Sequence, residues 1–138
     1  MSLILFINTA DEKKVFLGLI KKDKFIAQKV FFARYRQAEK LLVELHRFLQ
    51  AANCKLKNLK ALAVIAGPGP FTALRIGITT ANTLGWSLRI PVVGIKFNEF
   101  ENTDELIKVI NQKLKKVRVG QTVEPFYGRE PRITIKND

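Results

Sequence analysis

A glycine- and proline-rich turn, GPGP at residues 67–70, carries the clearest potential for chemistry in this chain of 138 residues. It lies between an apolar run of strand length and a helical segment, and such a turn can direct backbone N–H groups towards an anion. The turn contains no lysine and no G-K-[ST] sequence, so it is not a Walker motif, and its prolines remove two donors. Two interpretations stay open: a structural turn, or an anion-contact loop made of Gly67, Gly69, Phe71 and Thr72.

Other residue types that perform catalysis are scarce and scattered. His46 is the single histidine and Cys54 the single cysteine, and neither has a companion nearby in sequence that would complete a metal site. General acid–base catalysis needs converging carboxylates or a histidine, whereas the acidic residues here fall at turns and at a helix start. The sequence therefore predicts no catalytic set, no metal and no cofactor, and hence a protein that is not an enzyme.

The charge balance is strongly basic. Lysine and arginine total 24 against 12 acidic residues, which gives a net charge of +12. Either this is a solvated surface, or the chain contacts a polyanion such as a nucleic acid. The lysines form short clusters at turns and helix ends: Lys13-Lys14, Lys21-Lys22-Lys24, Lys55-Lys57-Lys60 and Lys113-Lys115-Lys116.

The first ten residues, MSLILFINTA, contain a five-residue apolar run and no basic leader. This run is too short for a signal peptide or for a helix that spans a membrane. We therefore expect a cytoplasmic protein that makes no contact with a membrane.

The apolar patterning predicts one α/β domain over residues 1–119 and a C-terminal tail over 120–138. Short apolar runs predict five strands, and the second and third flank a polar turn as in a hairpin. Helical spacing predicts three helices, at about 37–52, at about 72–87 and from 104 onwards. The order βββαβαβα indicates a mixed five-stranded sheet with packed helices.

The predicted second helix contains several glycine, threonine and isoleucine residues, which are poor helix formers. A row of small residues recurs along it every four positions and would let a sheet or another helix approach closely. These residues are Ala73, Gly77, Ala81 and Gly85. The opposite side is polar except for Ile76 and Trp86, which either pack beneath neighbouring loops or belong to an interface for a partner subunit.

Residues 67–77 (GPGPFTALRIG) and 91–95 (PVVGI) resemble the G-P-G-x-F-T-x-L-R-I-G turn and the P-V-x-G-[IV] strand of the TsaB (YeaZ) family. The opening strand ends Asn8-Thr9-Ala10 and is similar to the family's first strand, which usually ends Asp-Thr-Ser. The tail sequence PFYGR at 125–129 resembles the family's C-terminal P-x-Y-x-R. The resemblance touches nearly the whole chain and is most specific over residues 67–95.

The resemblance implies a single actin-like lobe of the ASKHA, ribonuclease H-like type. It also implies a non-catalytic subunit in the synthesis of N6-threonylcarbamoyladenosine at position 37 of tRNA, bound to a TsaD-type transferase through the first two helices. A TsaE-type ATPase would dock on this pair. Because a surface that binds a related partner can be self-complementary, we also expect the chain alone to form a weak or moderate homodimer through the second helix. The expected partner interface consists of Val43, Arg47, Arg75, Ile76, Ile78, Thr79, Asn82 and Trp86.

Two departures from the family, and one difference from the TsaD-type enzymes, argue against catalysis and against the enclosure of a nucleotide. Asn8 stands where most members have aspartate, and the chain has roughly one lobe plus a tail where typical members have two lobes. Residues 96–101 contain no histidine, whereas the TsaD-type enzymes carry a metal-binding histidine motif after the corresponding strand. Two alternatives remain: a basic tRNA-binding module, or a nucleotide-binding actin-like module.

Overall fold

The computed structural model describes residues 2–33 and 36–128. Within these residues, the strands and helices follow in the predicted order βββαβαβα. They are β1 (Leu3–Asn8), β2 (Lys14–Lys21), β3 (Lys24–Phe32), α1 (Gln37–Ala51), β4 (Leu59–Gly67), α2 (Phe71–Leu88), β5 (Val92–Lys96) and α3 (Thr103–Leu114). Short 3-10 turns at Leu56–Asn58 and Phe97–Glu99 precede β4 and follow β5.

The strands form one mixed sheet in the order β3-β2-β1-β4-β5. β1 and β3 pair antiparallel with β2, whereas β1, β4 and β5 run parallel to one another. Helices α1 and α2 cover one face and α3 covers the other, so the central strands are buried on both sides. This double burial explains why β1 and β4 are continuous apolar runs in the sequence. The predicted five-stranded sheet with packed helices is confirmed.

Helix α1 packs on the sheet through Leu41, Leu45, Phe48 and Leu49, which recur at the three- and four-residue steps of an amphipathic helix. Leu42 shares this spacing, which predicts a position on the buried side, but it is 60% exposed. The apolar stripe of a surface helix is only about 100° wide. Leu42 lies at its margin and faces the space beside α2.

An ion pair joins α1 to the edge strand β3. The Nζ of Lys29 donates to the carboxylate of Glu44, which Arg47 contacts at 3.3 Å from the next turn of the helix. The hydrogen bond from Lys29 holds the pKa of Glu44 below its ordinary value of 4.5. The pair therefore favours the charged carboxylate and ties α1 to the edge of the sheet.

We expect Glu44→Gln to lower the free energy of unfolding at about pH 7 and to lower it progressively less as the pH falls below the unfolded pKa. A carboxyl whose pKa is depressed by folding contributes stability that is complete above its unfolded pKa, near 4.5. That stability is lost as the pH falls through the lower folded pKa. Urea unfolding across this range measures the effect, with Glu39→Gln, at an exposed pair on the same helix, as the control. A loss that does not change with pH would contradict the assignment.

Helix α2 lies unusually close to the sheet, along its predicted row of small residues. A Cβ on Gly77 would lie 2.3 Å from the Oγ1 of Thr9, and a Cβ on Gly85 would lie 2.2 Å from the Cγ2 of Val92. Thr9 is fully buried and donates its hydroxyl to the carbonyl oxygen of Ala73 at 2.6 Å. The surface that approaches this row is therefore the protein's own sheet.

Helix α3 begins at Asn102, whose side chain accepts a hydrogen bond from the N–H of Glu105 at 2.9 Å. It buries Leu106, Ile107 and Ile110 on the face of the sheet opposite α1 and α2. In the described part of the chain, no helix is both long enough and apolar enough to cross a membrane.

Candidate functional site

The glycine- and proline-rich turn at residues 67–70 is enclosed by the chain itself. Gly67 has a φ of +138°, and a Cβ there would lie 1.8 Å from the carbonyl oxygen of Phe126. A Cβ on Gly69 would lie 2.9 Å from the Cβ of Ala10, in the turn that follows β1. The N–H of Phe126 donates to the carbonyl oxygen of Ala66 at 2.7 Å and holds the tail against β4. Close approach of neighbouring backbone thus explains both glycines.

The other two members of the predicted anion-contact loop, Phe71 and Thr72, are exposed at the start of α2. The ring of Phe71 stacks on Tyr127 with 4.9 Å between the ring centroids, and the guanidinium of Arg75 lies 5.0 Å from the Phe71 centroid. The adjoining cavity is lined by Glu12 and Glu39 as well as by Arg36, so it presents charges of both signs. Among the described residues, these contacts favour the structural interpretation of the turn.

The segment 121–128 lies beside α2 and the edge strand β5. The Nδ2 of Asn82 donates to the carbonyl oxygen of Val123 at 2.9 Å, and the Oδ1 of Asn82 accepts from the N–H of Val123 at 2.9 Å. The prediction that Asn82 faces a partner must be corrected, because its amide binds the chain's own tail on the side of α2 that faces β5. Arg129, the last residue of the predicted P-x-Y-x-R match, lies outside the described residues.

Asn82→Ala is expected to loosen the segment 121–128 from α2. The substitution removes two hydrogen bonds and leaves the backbone groups of Val123 without these partners, which costs about 1–3 kcal/mol of local stability. Hydrogen exchange of the amides in this segment measures the change. Thr83→Ala, at the exposed neighbouring position, is the matched control. Equal exchange in the wild type and in Asn82→Ala would contradict the anchoring role.

A groove runs between α1 and α2 on the outer side of the helix pair. It contains two cavities, of about 410 Å³ and about 360 Å³, and Leu42 lines both of them. The lining is largely aliphatic and aromatic. We call this surface the α1–α2 groove, lined principally by Leu42, Leu56, Phe71, Ile76, Thr79 and Leu84.

Three of the eight predicted interface residues line the α1–α2 groove. Arg75, Ile76 and Thr79 line the cavity at the start of α2, with Arg75 and Thr79 exposed and Ile76 partly buried. Val43 and Arg47 are exposed on α1. Val43 and Arg47 line neither cavity, and Arg47 contacts Glu44, which pairs with Lys29 of β3.

Trp86 extends this surface towards the end of α2, where its side chain is 79% exposed. Tryptophan is usually highly buried, so an indole exposed to this degree suits a contact with another molecule. The exposure also rejects the interpretation that Trp86 packs beneath a neighbouring loop in the described part of the chain.

The prediction for Ile78 must be corrected. Its side chain is 3% exposed and packs in the core between α2 and the sheet, because it lies on the same side of the helix as Leu74 and Ala81. Conversely, Leu42 and Leu84 in the α1–α2 groove were not predicted as interface residues. No signal in the sequence could separate Leu42 from its buried neighbours, since it has the same helical spacing.

Two residues with catalytic potential have structural roles. The Oδ1 of Asn8 accepts a hydrogen bond from the N–H of Ala10 at 2.9 Å and closes the turn after β1. Burial raises the pKa of the Cys54 thiol, which keeps the thiol protonated and weakly nucleophilic at neutral pH. Within residues 2–33 and 36–128, no group of three or more His, Cys, Asp or Glu residues could hold a metal ion.

Comparison with known proteins identifies relatives over the same segments. The family described as TsaD, tRNA N6-adenosine threonylcarbamoyltransferase, matches residues 32–100, which is half of the 138 residues. The chain is 30% identical over 79 residues to the tRNA threonylcarbamoyladenosine biosynthesis protein TsaB of Bacillus subtilis, covering 57% of this chain and 34% of that protein. It is 43% identical over 56 residues to TsaB of Buchnera aphidicola, covering 41% of this chain and 27% of that protein.

YeaZ from Pseudomonas aeruginosa has a similar structure, with a TM-score of 0.63 and 27% sequence identity. The similarity covers 70% of this chain and 44% of that protein. The chain thus spans about a third or less of the length of the TsaB relatives and under half of YeaZ. Over that part, the mixed sheet with packed helices agrees with the fold of YeaZ. The family model that matches residues 32–100 is described as that of the TsaD-type transferases, which are thus related to this chain in sequence. The chain therefore belongs to the TsaB (YeaZ) family.

Proposed function

We propose that this chain is a non-catalytic partner subunit in tRNA threonylcarbamoyladenosine biosynthesis, and that it binds and supports a TsaD-type transferase through α1 and α2. The observation that carries the proposal is the α1–α2 groove, an apolar surface formed by two neighbouring helices in a chain of the TsaB family. Apolar surface of this kind on a small domain suits a protein interface.

A related partner suits this surface for a geometric reason. The family match shared with the TsaD-type transferases includes α1 and α2, so such a transferase would present a corresponding pair of helices. Two related surfaces can pack in the nearly symmetric way in which identical subunits form a twofold interface. Leu42 and the flanking Trp86 would then lie at the contact between two helix pairs, as anchors of the kind that dominate interface energetics.

The chemistry of the chain supports a binding role rather than a catalytic one. Asn8 stands where an acidic residue is usual in the family, and its amide closes a local turn. The sequence after β5 lacks the histidine motif of the TsaD-type enzymes. The transferase would supply the reaction, and this chain would supply a surface that stabilises it in its active form.

Co-expression with the TsaD-type transferase of the same organism tests the proposal. We expect the two proteins to co-elute in size-exclusion chromatography, with a mass by light scattering equal to the sum of one copy of each. Elution as two separate species over a wide range of protein concentration would reject the proposal.

The same groove gives the chain a second available state, a weak homodimer through α2. We expect the mass of the isolated chain to rise with its concentration. The homodimer should be replaced by the heterodimer when the transferase is added.

The pair would act in the cytoplasm, and a TsaE-type ATPase would join it. Calorimetric titration of the isolated chain with ATP and magnesium is expected to give no heat of binding, and a saturable heat would favour the nucleotide-binding alternative.

A further inference from the structure

Two of the lysine clusters converge at one end of the sheet. Lys21, in the cluster that surrounds the β2–β3 turn, lies opposite Leu3 at the start of β1. Leu3 also pairs with Leu59, which directly follows the cluster of lysines before β4. Neighbouring strands are about 4.8 Å apart, so clusters on the two sides of β1 are separated by roughly 10 Å. They consist of Lys21, Lys22 and Lys24, and of Lys55, Lys57 and Lys60.

Arg89 adds a seventh cation at the same end. The N–H of Leu62, near the start of β4, donates to the carbonyl oxygen of Pro91 at 2.9 Å, which places the α2–β5 connection and Arg89 at this end of the sheet. All seven basic residues are exposed. In the part of the chain that the structure describes, the ion pairs involve other residues. We call these seven residues the basic end.

The acidic residues lie mainly at the opposite end. Asp11 and Glu12 follow β1, and Glu101 and Asp104 follow β5, which runs parallel to β1 through β4. The basic end consists of the β2–β3, α1–β4 and α2–β5 connections, and in their sequences Asp23 is the single acidic residue. The acidic residues are thus concentrated at the end opposite the basic end, where Lys13, Lys14 and Lys96 also lie. Charges that only keep the surface solvated could be distributed anywhere on it. A cluster of cations with few acidic residues nearby would instead attract a polyanion to that end.

We propose that the basic end binds the phosphate backbone of RNA. Its cations come from three separate connections, and the two lysine clusters are about a Debye length apart at roughly 0.1 M salt, so both can act on the phosphates of one RNA backbone. The connections are short turns rather than an amphipathic helix of the type that lies in a membrane interface. Contacts of this kind position RNA without reading its sequence. That the RNA is tRNA rests on the proposed function, whereas the basic end itself does not.

Binding of an unmodified tRNA transcript to the isolated chain, followed by fluorescence anisotropy across a salt series, tests this inference. We expect binding at about 50 mM salt that weakens steeply towards about 200 mM. Lys24→Gln/Lys57→Gln takes one cation from each cluster and is expected to weaken binding at about 100 mM salt on the order of tenfold or more. The slope of log affinity against log salt should become shallower by about two.

The matched control is Lys13→Gln/Lys14→Gln, which removes two cations from the opposite end of β1 and β2 and so gives the same net charge, +12 − 2 = +10. It should retain binding within about twofold of the wild type. Equal weakening by the two variants, no binding at about 50 mM salt, or binding to acidic lipid vesicles in place of RNA would each overturn the inference. Lys24→Gln/Lys57→Gln should still co-elute with the TsaD-type transferase, so this inference and the proposed function can fail separately.

Discussion

Leu42→Glu is expected to weaken binding to the TsaD-type transferase by about 100-fold or more, which corresponds to about 2.7 kcal/mol. In the proposed complex this side chain enters the contact between two helix pairs, where a carboxylate without a partner is costly to bury. In the isolated chain it is already 60% exposed, and glutamate is a good helix former. The fold should therefore keep its stability within about 0.5 kcal/mol. Calorimetric titration measures the binding, and urea unfolding measures the stability.

Val119→Glu is the control for this loss of binding. Val119 is exposed to a similar degree, at 55%, but lies after α3, away from the α1–α2 groove. The Val119→Glu variant should bind the TsaD-type transferase as tightly as the wild type does. Trp86→Asp, which removes the exposed indole at the far end of α2, should also weaken binding to the transferase. If Leu42→Glu binds as tightly as Val119→Glu, the groove is not the interface.

Gly77→Ala is expected to destabilise the fold by about 1–3 kcal/mol, although alanine is favoured over glycine in a helix interior by about 1 kcal/mol. The new methyl group would lie 2.3 Å from the Oγ1 and 2.8 Å from the Cγ2 of Thr9. Thr9 cannot withdraw easily, since it is fully buried and bonded to the carbonyl oxygen of Ala73. Urea denaturation should show a lower midpoint with an unchanged slope.

Two further variants show whether this loss comes from the contact with Thr9. Thr79→Ala, at an exposed position on the same helix, should leave the stability the same or slightly higher. In a Thr9→Ala background, Gly77→Ala should cost clearly less than it does in the wild type, because the two clashing atoms are absent. A Gly77→Ala variant as stable as the wild type would show that α2 does not lie so close to the end of β1.

The sequence predicted the fold well because each level of patterning agreed with the others. The continuous apolar runs of β1 and β4 follow from burial on both faces of the sheet, and the row containing Gly77 predicted a close approach that the sheet fulfils. The position of the turn at Gly67 was also predictable. Its role was not, because the Phe126 backbone that occupies the space beside Gly67 is distant in sequence and has no helical or strand period.

The candidate interface was predictable only as a region. Helical spacing places each side chain only to within part of a turn, which is too coarse to separate exposed Leu42 from buried Leu41 and Leu45. Ile78 is different, because its steps of four from Leu74 and three to Ala81 place it on the buried side of α2. Asn82 illustrates a second limit. A polar residue on the outer half of a helix appears available to a partner until a distant segment of the same chain occupies its hydrogen-bonding groups. These differences depend on tertiary packing, which cannot be inferred from the spacing of residues along one helix.

The formation of threonylcarbamoyladenosine on tRNA in a reconstituted reaction tests the central claim most directly. The reaction would contain the TsaD-type transferase and its remaining partners, with the wild-type chain, with Leu42→Glu or with no added chain. We predict modification with the wild-type chain, a strong loss with Leu42→Glu or without the chain, and none from the chain in the absence of the transferase. The same rate with and without the chain, or modification by the chain alone, would contradict the assignment of a non-catalytic supporting subunit.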